Sequence, residues 1–319
     1  MSTHKIIYDT DPGIDDAIAL VFQARHPDIE LVGITSVFGN SDIDTTTANA
    51  LYLASRFAPG VPVARGAAAP LKRAAPEPIP HIHGQDALGD IERSGRVDAQ
   101  ADGRAAHRFI VDTVRAHPGE ITLLAVGPMT NLALALADHP GIAALVREVV
   151  VMGGAFGFNG TLGNATPAAE ANMHGDPDAA DIVFGAPWNV SIVGLDVTHE
   201  TVMTTAFLAS LRDRAGDAGR FVWDVSRFYE RFHADDGMSR GIYAHDYSAA
   251  AFIVARECYT TRRGPVRVLT EGIAEGLTIQ KPSSMLASAP DWDTRPPCDV
   301  CIDVDADAVL ELFAKTLRT

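Results

Sequence analysis

Asp9, Asp11, Asp15 and Asp16 set four carboxylates within eight residues, in the stretch Ile6-Ile7-Tyr8-Asp9-Thr10-Asp11-Pro12-Gly13-Ile14-Asp15-Asp16-Ala17. Such a cluster repels itself unless protons or a cation sit among the acids. An all-oxygen donor set suits a hard ion such as Ca²⁺ or Mg²⁺ rather than zinc. A short apolar run precedes the acids and an apolar-periodic one follows, so a strand, a Pro-Gly turn and a helix are predicted. Alternate strand residues share a face, which puts Asp9 and Asp11 together at the strand's end. Asp15 and Asp16 open the helix, where the dipole and free N–H groups favour negative charge. They point roughly 100° apart and can serve different ligands. The plain alternative is a helix N-terminus with solvated acids.

A second constellation is Ala244-His245-Asp246-Tyr247, followed by the apolar run Ser248–Ala255. His245 titrates near neutrality and is a natural proton donor to a departing group. Asp246 is a further candidate cation ligand; a simple helix cap is the competing reading. Other polar groups follow predicted strands: Gly39-Asn40, Gly127-Pro-Met-Thr-Asn131, and a long loop after Met152 with Asn164, Glu170 and Asn172. Ligands of open parallel sheets gather beyond the carboxyl ends of the strands, so these groups are expected to form one polar pocket with the acids.

The elements that must position these groups alternate from the start. Strands are predicted at Lys5–Tyr8, Glu30–Phe38, Val61–Val63, Ile121–Val126, Glu148–Met152, Val190–Leu195, Val266–Leu269 and Val300–Val304. Helices are predicted at Asp15–Arg25, Thr45–Phe57, Ala105–Ala116, Thr130–Leu136, Ala179–Phe184 and Ala308–Leu317, with Thr201–Tyr259 mostly helical. From Ala67 to Ser94 the chain is rich in Pro, Gly and His without a period, a length of irregular chain that is usually disordered or functional. The pattern implies an α/β fold, a single-domain open, mostly parallel sheet with helices on both faces. Nothing in the composition divides the chain, so residues 1–319 are taken as one catalytic domain.

With 319 residues, 47% hydrophobic and 21% charged, the composition is that of a globular protein with a sizeable core. A net charge of −15 argues against nucleic acid and anionic membrane surfaces as partners. The 17-residue uncharged run Ile121–Ala137 is short for a membrane span, and Gly127-Pro128 breaks it. No signal peptide is read before the first strand, and three cysteines suit a reducing cytoplasm. Cys298-Asp-Val-Cys301 has redox or zinc spacing, but it lacks a second ligand pair and stands at the entry of a strand.

Taken together these residues resemble the inosine/uridine-preferring nucleoside hydrolases. The resemblance runs in order through Asp9-Thr-Asp-Pro-Gly-Ile-Asp-Asp16, Val37-Phe-Gly-Asn40, Gly127-Pro-Met-Thr-Asn131 and Val149-Val-Val-Met-Gly-Gly154. It continues through Thr166-Pro-Ala-Ala-Glu170-Ala-Asn172, Asp176-Pro-Asp-Ala-Ala180, Gly194-Leu-Asp-Val-Thr198 and His245-Asp246. It implies a bound Ca²⁺, hydrolysis of ribonucleosides to ribose and free base, a homodimer or homotetramer, and a place in purine and pyrimidine salvage. Carried over, Asp11, Asp16, Asp246 and the Val126 carbonyl match the calcium ligands, and Asp11 also matches the general base acting on a calcium-bound water. Asp15, Asn40, Asn164, Glu170 and Asn172 match groups that hold the ribose hydroxyls, with Asp246 beside them, and Met152 lines the sugar pocket. His245 matches the acid that protonates a purine leaving group, and His83 a loop histidine near the base.

Ala171 departs from the family, which usually has Phe between the Glu and the Asn; Phe156 or Phe158, on an extended loop, is the candidate replacement. Ala87 stands where Gly is common in the His83 loop. Two other readings start from the same residues. A phosphatase of the haloacid dehalogenase type also begins with a strand ending in Asp-x-Asp, but Pro12 and the adjacent Asp15-Asp16 fit it poorly. A sugar- or nucleoside-binding protein has no need of a base, a metal cluster and an acid together.

Overall fold

The computed structural model describes residues 3–95, 97, 99–235 and 241–318. Among them the strands are, in chain order, β1 (His4–Thr10), β2 (Ile29–Ser36), β3 (Val63–Ala64), β4 (Ile121–Ala125), β5 (Glu148–Met152), β6 (Val190–Val193), β7 (Val202–Met203), β8 (Ile242–Tyr243), β9 (Tyr259–Gly264), β10 (Val266–Val268), β11 (Thr278–Gln280) and β12 (Cys298–Val304). Eight of them form one sheet in the order β3-β2-β1-β4-β5-β6-β12-β9. All neighbours are parallel except β9, which runs antiparallel to β12 at the edge.

Period-two alternation distributes the strand side chains between two cores. Ile6 and Tyr8 of β1 pack on one face with the helices Ile14–Arg25, His245–Val254 and Ala306–Arg318. Ile7 packs on the other with Ala106–Ala116, Thr130–Asp138 and Pro177–Gly185. A strand covered on both faces must be apolar throughout, as Glu148-Val-Val-Val-Met152 nearly is. The helix His245–Val254 is buried along almost its whole length, which is why Ser248–Ala255 shows no polar stripe.

The strand order reverses between β1 and β4: from β1 the chain builds toward β3, and from β4 it builds the other way. The crevice beyond the carboxyl ends of these two strands is the topological switch point. Asp11 follows β1 there and Val126 follows β4.

Several boundaries differ from expectation for local reasons. Val61 and Pro62 lie outside β3, since Pro cannot donate to a ladder. Tyr259, the last residue of the expected helical stretch, instead begins strand β9; its Thr-Thr pair and Tyr favour a pleated edge. Val266–Val268 does not join the main sheet but pairs with β11 in a separate hairpin. Among the described residues the expected helical stretch 201–259 holds the helices Thr205–Arg214, Gly216–Asp235 and His245–Val254, with β7 before the first and β8 before the last, the two strands paired antiparallel. Cys298 begins β12, and both its thiol and that of Cys301 are free and pushed up by burial. They belong to opposite cores, so they cannot share a metal. The uncharged run at 121–137 divides into β4 and the helix Thr130–Asp138. Among the described residues no helix is long and apolar enough to cross a membrane.

Candidate active site

A cavity of about 590 Å³ opens at the switch point. It is lined by Asp15, Asp246, Val126 and Met152 and by Asn40, Asn164, Glu170 and Asn172. His83 and His245 line it as well. Ten of the sequence-derived site residues therefore meet in one cavity, and Asp11 and Asp16 lie directly against it through Asn40.

The acid cluster is built from three segments. Carboxylate oxygens of Asp15, Asp16 and Asp246 lie within 4.8 Å of one another. Asp16 is held from below: Thr10 Oγ1 donates to one oxygen, and Gly13 N–H and Asn40 Nδ2 donate to the other at 2.9 and 3.0 Å. Asn40 N–H donates to Asp11 Oδ2 at 2.8 Å. Asp11 Oδ1 and Asp15 Oδ1 are buried with no hydrogen-bond partner among the described residues. Gly13 permits this closeness, since a Cβ there would come within 2.6 Å of Asn40 Nδ2 and 2.8 Å of His83 Nδ1.

Burial, and then the neighbouring carboxylates, hold these acids out of their ordinary range. Burial followed by Asp16 pushes Asp15 up to about 8. Burial followed by Asp16 and Asp15 raises Asp11 well above the carboxylate range, and burial with Asp15, Asp16 and Asp11 does the same for Asp246. Asp16 is raised by burial against the opposing bonds from Thr10 and Gly13. Unpartnered oxygens, mutual repulsion and hard donors fit a divalent cation.

The rest of the rim is pinned by backbone. Glu170 caps the helix Ala171–Gly175, accepting from Asn172 N–H and Met173 N–H at 2.9 and 3.1 Å and from Gly154 N–H at 2.9 Å. Asn172 Nδ2 donates to the Val126 carbonyl at 2.7 Å and the Met152 carbonyl at 3.2 Å. Asn164 Oδ1 accepts from Ala171 N–H at 2.9 Å. Ile14 N–H donates to His83 Nδ1 at 3.2 Å, which leaves that ring neutral with its proton on Nε2. Burial, then His233 and His81, press His83 down to about 3. Burial, then His199, His233 and His83, holds His245 well below its usual range.

Some expectations need correction. Asp9 does not join Asp11: its Oδ1 accepts from Thr35 Oγ1 and Asn131 Nδ2 at 2.5 and 2.8 Å, away from the cavity lining. Asn131 is likewise a brace, tying Asp9 to the Ser36 carbonyl at 2.9 Å. Neither Phe156 nor Phe158 lines the cavity, although Ala171 does. Phe158 lies under the Arg262 guanidinium at 4.3 Å instead. The sequence reading also missed a wall of rings opposite the acids: Tyr229, Phe232 and His233 from the helix Gly216–Asp235, with His199 and Tyr243. Tyr243 stacks on His199 at 4.2 Å, and Tyr229 stacks on His83 at 5.3 Å. Tyr229 and His233 sit four apart on one helix, the one signal in the sequence that they share a face. The irregular segment 67–94 contributes Ile79, His81 and Ile82 and is structured there as the short helix Pro80–His83.

The open α/β sheet thus brings an acid cluster and an imidazole to one cavity at its switch point. The model of the inosine-uridine preferring nucleoside hydrolases matches residues 6–311. A probable uridine nucleosidase from Oryza sativa subsp. japonica is 40% identical over 98% of this chain and 96% of its own. Among solved structures, a plant nucleoside hydrolase superposes with a TM-score of 0.94 at 34% identity, covering 99% of both chains. A purine-preferring ribonucleoside hydrolase from Gardnerella vaginalis gives 0.90 at 32%, covering 98% of both. The chain belongs to the inosine-uridine preferring nucleoside hydrolase family and is a hydrolase of N-glycosidic bonds.

Proposed function

We propose that this enzyme hydrolyses purine and pyrimidine ribonucleosides to ribose and free base with Ca²⁺ at Asp11, Asp16, Asp246 and the Val126 carbonyl. The observation that carries the reading is the buried, unpartnered carboxylate oxygens of Asp11 and Asp15 in an acid cluster at a cavity that Asp15, Asp246 and His245 line. A bound calcium ion supplies a Lewis acid that acidifies water and grips sugar hydroxyls. Asp15 lies closer to Asp16 and Asp246 than a purely sugar-binding role requires, so it is a candidate to share the ion.

The chain's own residues do the remaining chemistry. Asp11, oriented by Asn40 N–H, accepts a proton from the water that attacks C1′. Asp15, Asn40, Asn164, Glu170 and Asn172, with Asp246, hold the ribose hydroxyls, and Met152 packs under the sugar. As the C1′–N bond breaks, its electron pair leaves with the base, and His245 in its protonated form passes a proton to a purine ring and returns to the neutral imidazole that burial favours. The acid cluster stabilises the oxocarbenium character that develops on the ribose, and direct displacement inverts C1′. His83 lies beside the base. The ring wall offers stacking surfaces that suit any base, and with Ala171 leaving one side open it supports broad purine and pyrimidine acceptance.

The 1–319 chain acts as one catalytic domain in this reading, supported by a core that joins Ile6 to Leu317. We carry a homodimer or homotetramer and a cytoplasmic setting with it; free thiols support the latter, and light scattering tests the former. Calcium content and reducing-sugar release from inosine and uridine test the function. About one calcium per chain and turnover of both substrates are expected. Full activity in metal-free protein, or no sugar release from either nucleoside, overturns the reading.

A further inference from the structure

The short helix Leu195–Thr198 carries two buried polar side chains that the scheme above leaves unused, Asp196 and Thr198. Asp196 anchors the extended loop, accepting from Phe156 N–H and Phe158 N–H at 2.9 and 2.6 Å. Thr198 is wholly buried, and its Oγ1 lies 2.8 Å from His245 Nδ1. His245 lines the cavity and Thr198 does not, so this contact is on the side of the ring away from the substrate.

We propose that Thr198 is a positioning residue that holds His245 in the one ring orientation, with Nε2 toward the cavity, able to donate a proton to the base. An imidazole flipped by 180° has nearly the same shape, so packing alone selects poorly between its two nitrogens. The rings packed around it, Tyr243 and His199 with centroids at 5.5 Å and His233 at 6.5 Å, meet its faces, which a flip leaves nearly unchanged. The Thr198 hydroxyl can donate to Nδ1 of the neutral ring or accept from Nδ1–H of the protonated one, so in either state it keeps Nδ1 turned to it and Nε2 toward the cavity. When the ring carries both protons, Nδ1–H donates to Thr198 Oγ1 and Nε2–H is the proton passed to the base, which returns His245 to neutral imidazole.

The inference rests on His245 being the acid, and the experiment separates the two. The calcium-loaded protein and its Thr198→Val, Thr198→Ser and His245→Ala variants are assayed for kcat and KM on inosine and on p-nitrophenyl riboside, whose leaving group needs no proton. Thr198→Val is expected to lower inosine kcat about tenfold or more, with a much smaller loss on the nitrophenyl substrate and little change in KM. Thr198→Ser, which keeps the hydroxyl, is expected to recover most of the inosine rate. If the Val variant does not fold, Thr198→Ala carries the same expectation. Equal losses on both substrates, an unaffected Val variant, or no rescue by Ser overturns the role of Thr198. Should His245→Ala itself show no preferential loss on inosine, the acid assignment falls and this inference with it. A selective loss in His245→Ala without one in Thr198→Val refutes Thr198 alone.

Discussion

Metal-free protein is expected to lose stability as pH rises above neutrality, and calcium is expected to remove that loss. Burial and Asp16 put Asp15 at about 8 in the folded chain, while an unfolded Asp titrates near ~3.9. Between these values the folded state holds a proton that the unfolded state has released, so stability falls with rising pH through this window. His83 and His245 work the other way, being depressed in the fold; their stabilisation is complete above about 6.5 and is lost only at lower pH. From pH 6.5 to 8 the acids therefore act without opposition from these rings. One retained proton is worth about 1.4 kcal/mol per pH unit. For 319 residues the unfolding entropy is about 0.7 kcal/mol/K, so one group lowers Tm by about 2 °C per pH unit. Asp11 and Asp246 are raised in the same direction and steepen the fall. Circular-dichroism melts at pH 6.5, 7.25 and 8, with chelator or with millimolar calcium, measure it. Asp9, held near 7 away from the cavity, contributes equally to both curves, so their difference isolates the cluster. The gap between the curves should widen with pH, because the ion displaces protons. Parallel curves, or a metal-free Tm that rises over this range, would refute the argument.

Three substitutions test other parts of the site. Asp11→Ala removes a calcium ligand and the water's proton acceptor together, so steady-state kinetics should record a kcat loss beyond the ~10²–10⁴-fold of a general base alone. Near-normal turnover in a folded variant would reject Asp11 as catalytic. Gly127→Ala drives a methyl to 2.5 Å from Asp11 Oδ1 and 3.0 Å from Val37 Cγ1; overpacking of this kind costs roughly 1–3 kcal/mol. Titration calorimetry should then find weaker calcium binding alongside a lower Tm. Ala171→Phe adds a ring to the open side of the cavity, worth roughly 0.5–1.5 kcal/mol when stacked, so the inosine-to-uridine ratio of kcat/KM should move about two- to twelvefold. An unchanged ratio with unchanged rates would show that position 171 does not face the base.

The acids and their order along the chain were readable because their chemistry is local. Asp15 and Asp16 announce a helix start and Gly39-Asn40 the close of a strand, each within a few residues of its signal. The alternating strands and helices likewise follow from periodicity, which is why β5 spans the expected Glu148–Met152. Distance in three dimensions decided the rest. Asp9 and Asp11 differ by two residues and carry the same side chain, yet Asp9 Oδ1 is held by Thr35 and Asn131 away from the cavity lining, while Asp11 is tied to the cavity's edge through Asn40 N–H. Only the crossing of β1 with β2 and β4 makes that distinction. The ring wall was hidden for a related reason: Tyr229 and His233 are ordinary helix residues until the helix Gly216–Asp235 is packed beside His83 and β8. Nor can spacing assign a partner to His245, because Thr198 is 47 residues away and contributes only a hydroxyl. Residue type carries the kind of chemistry that is possible, whereas partners far apart in sequence meet only through the packing of the sheet and its helices, and that packing decides which groups are left free to perform it.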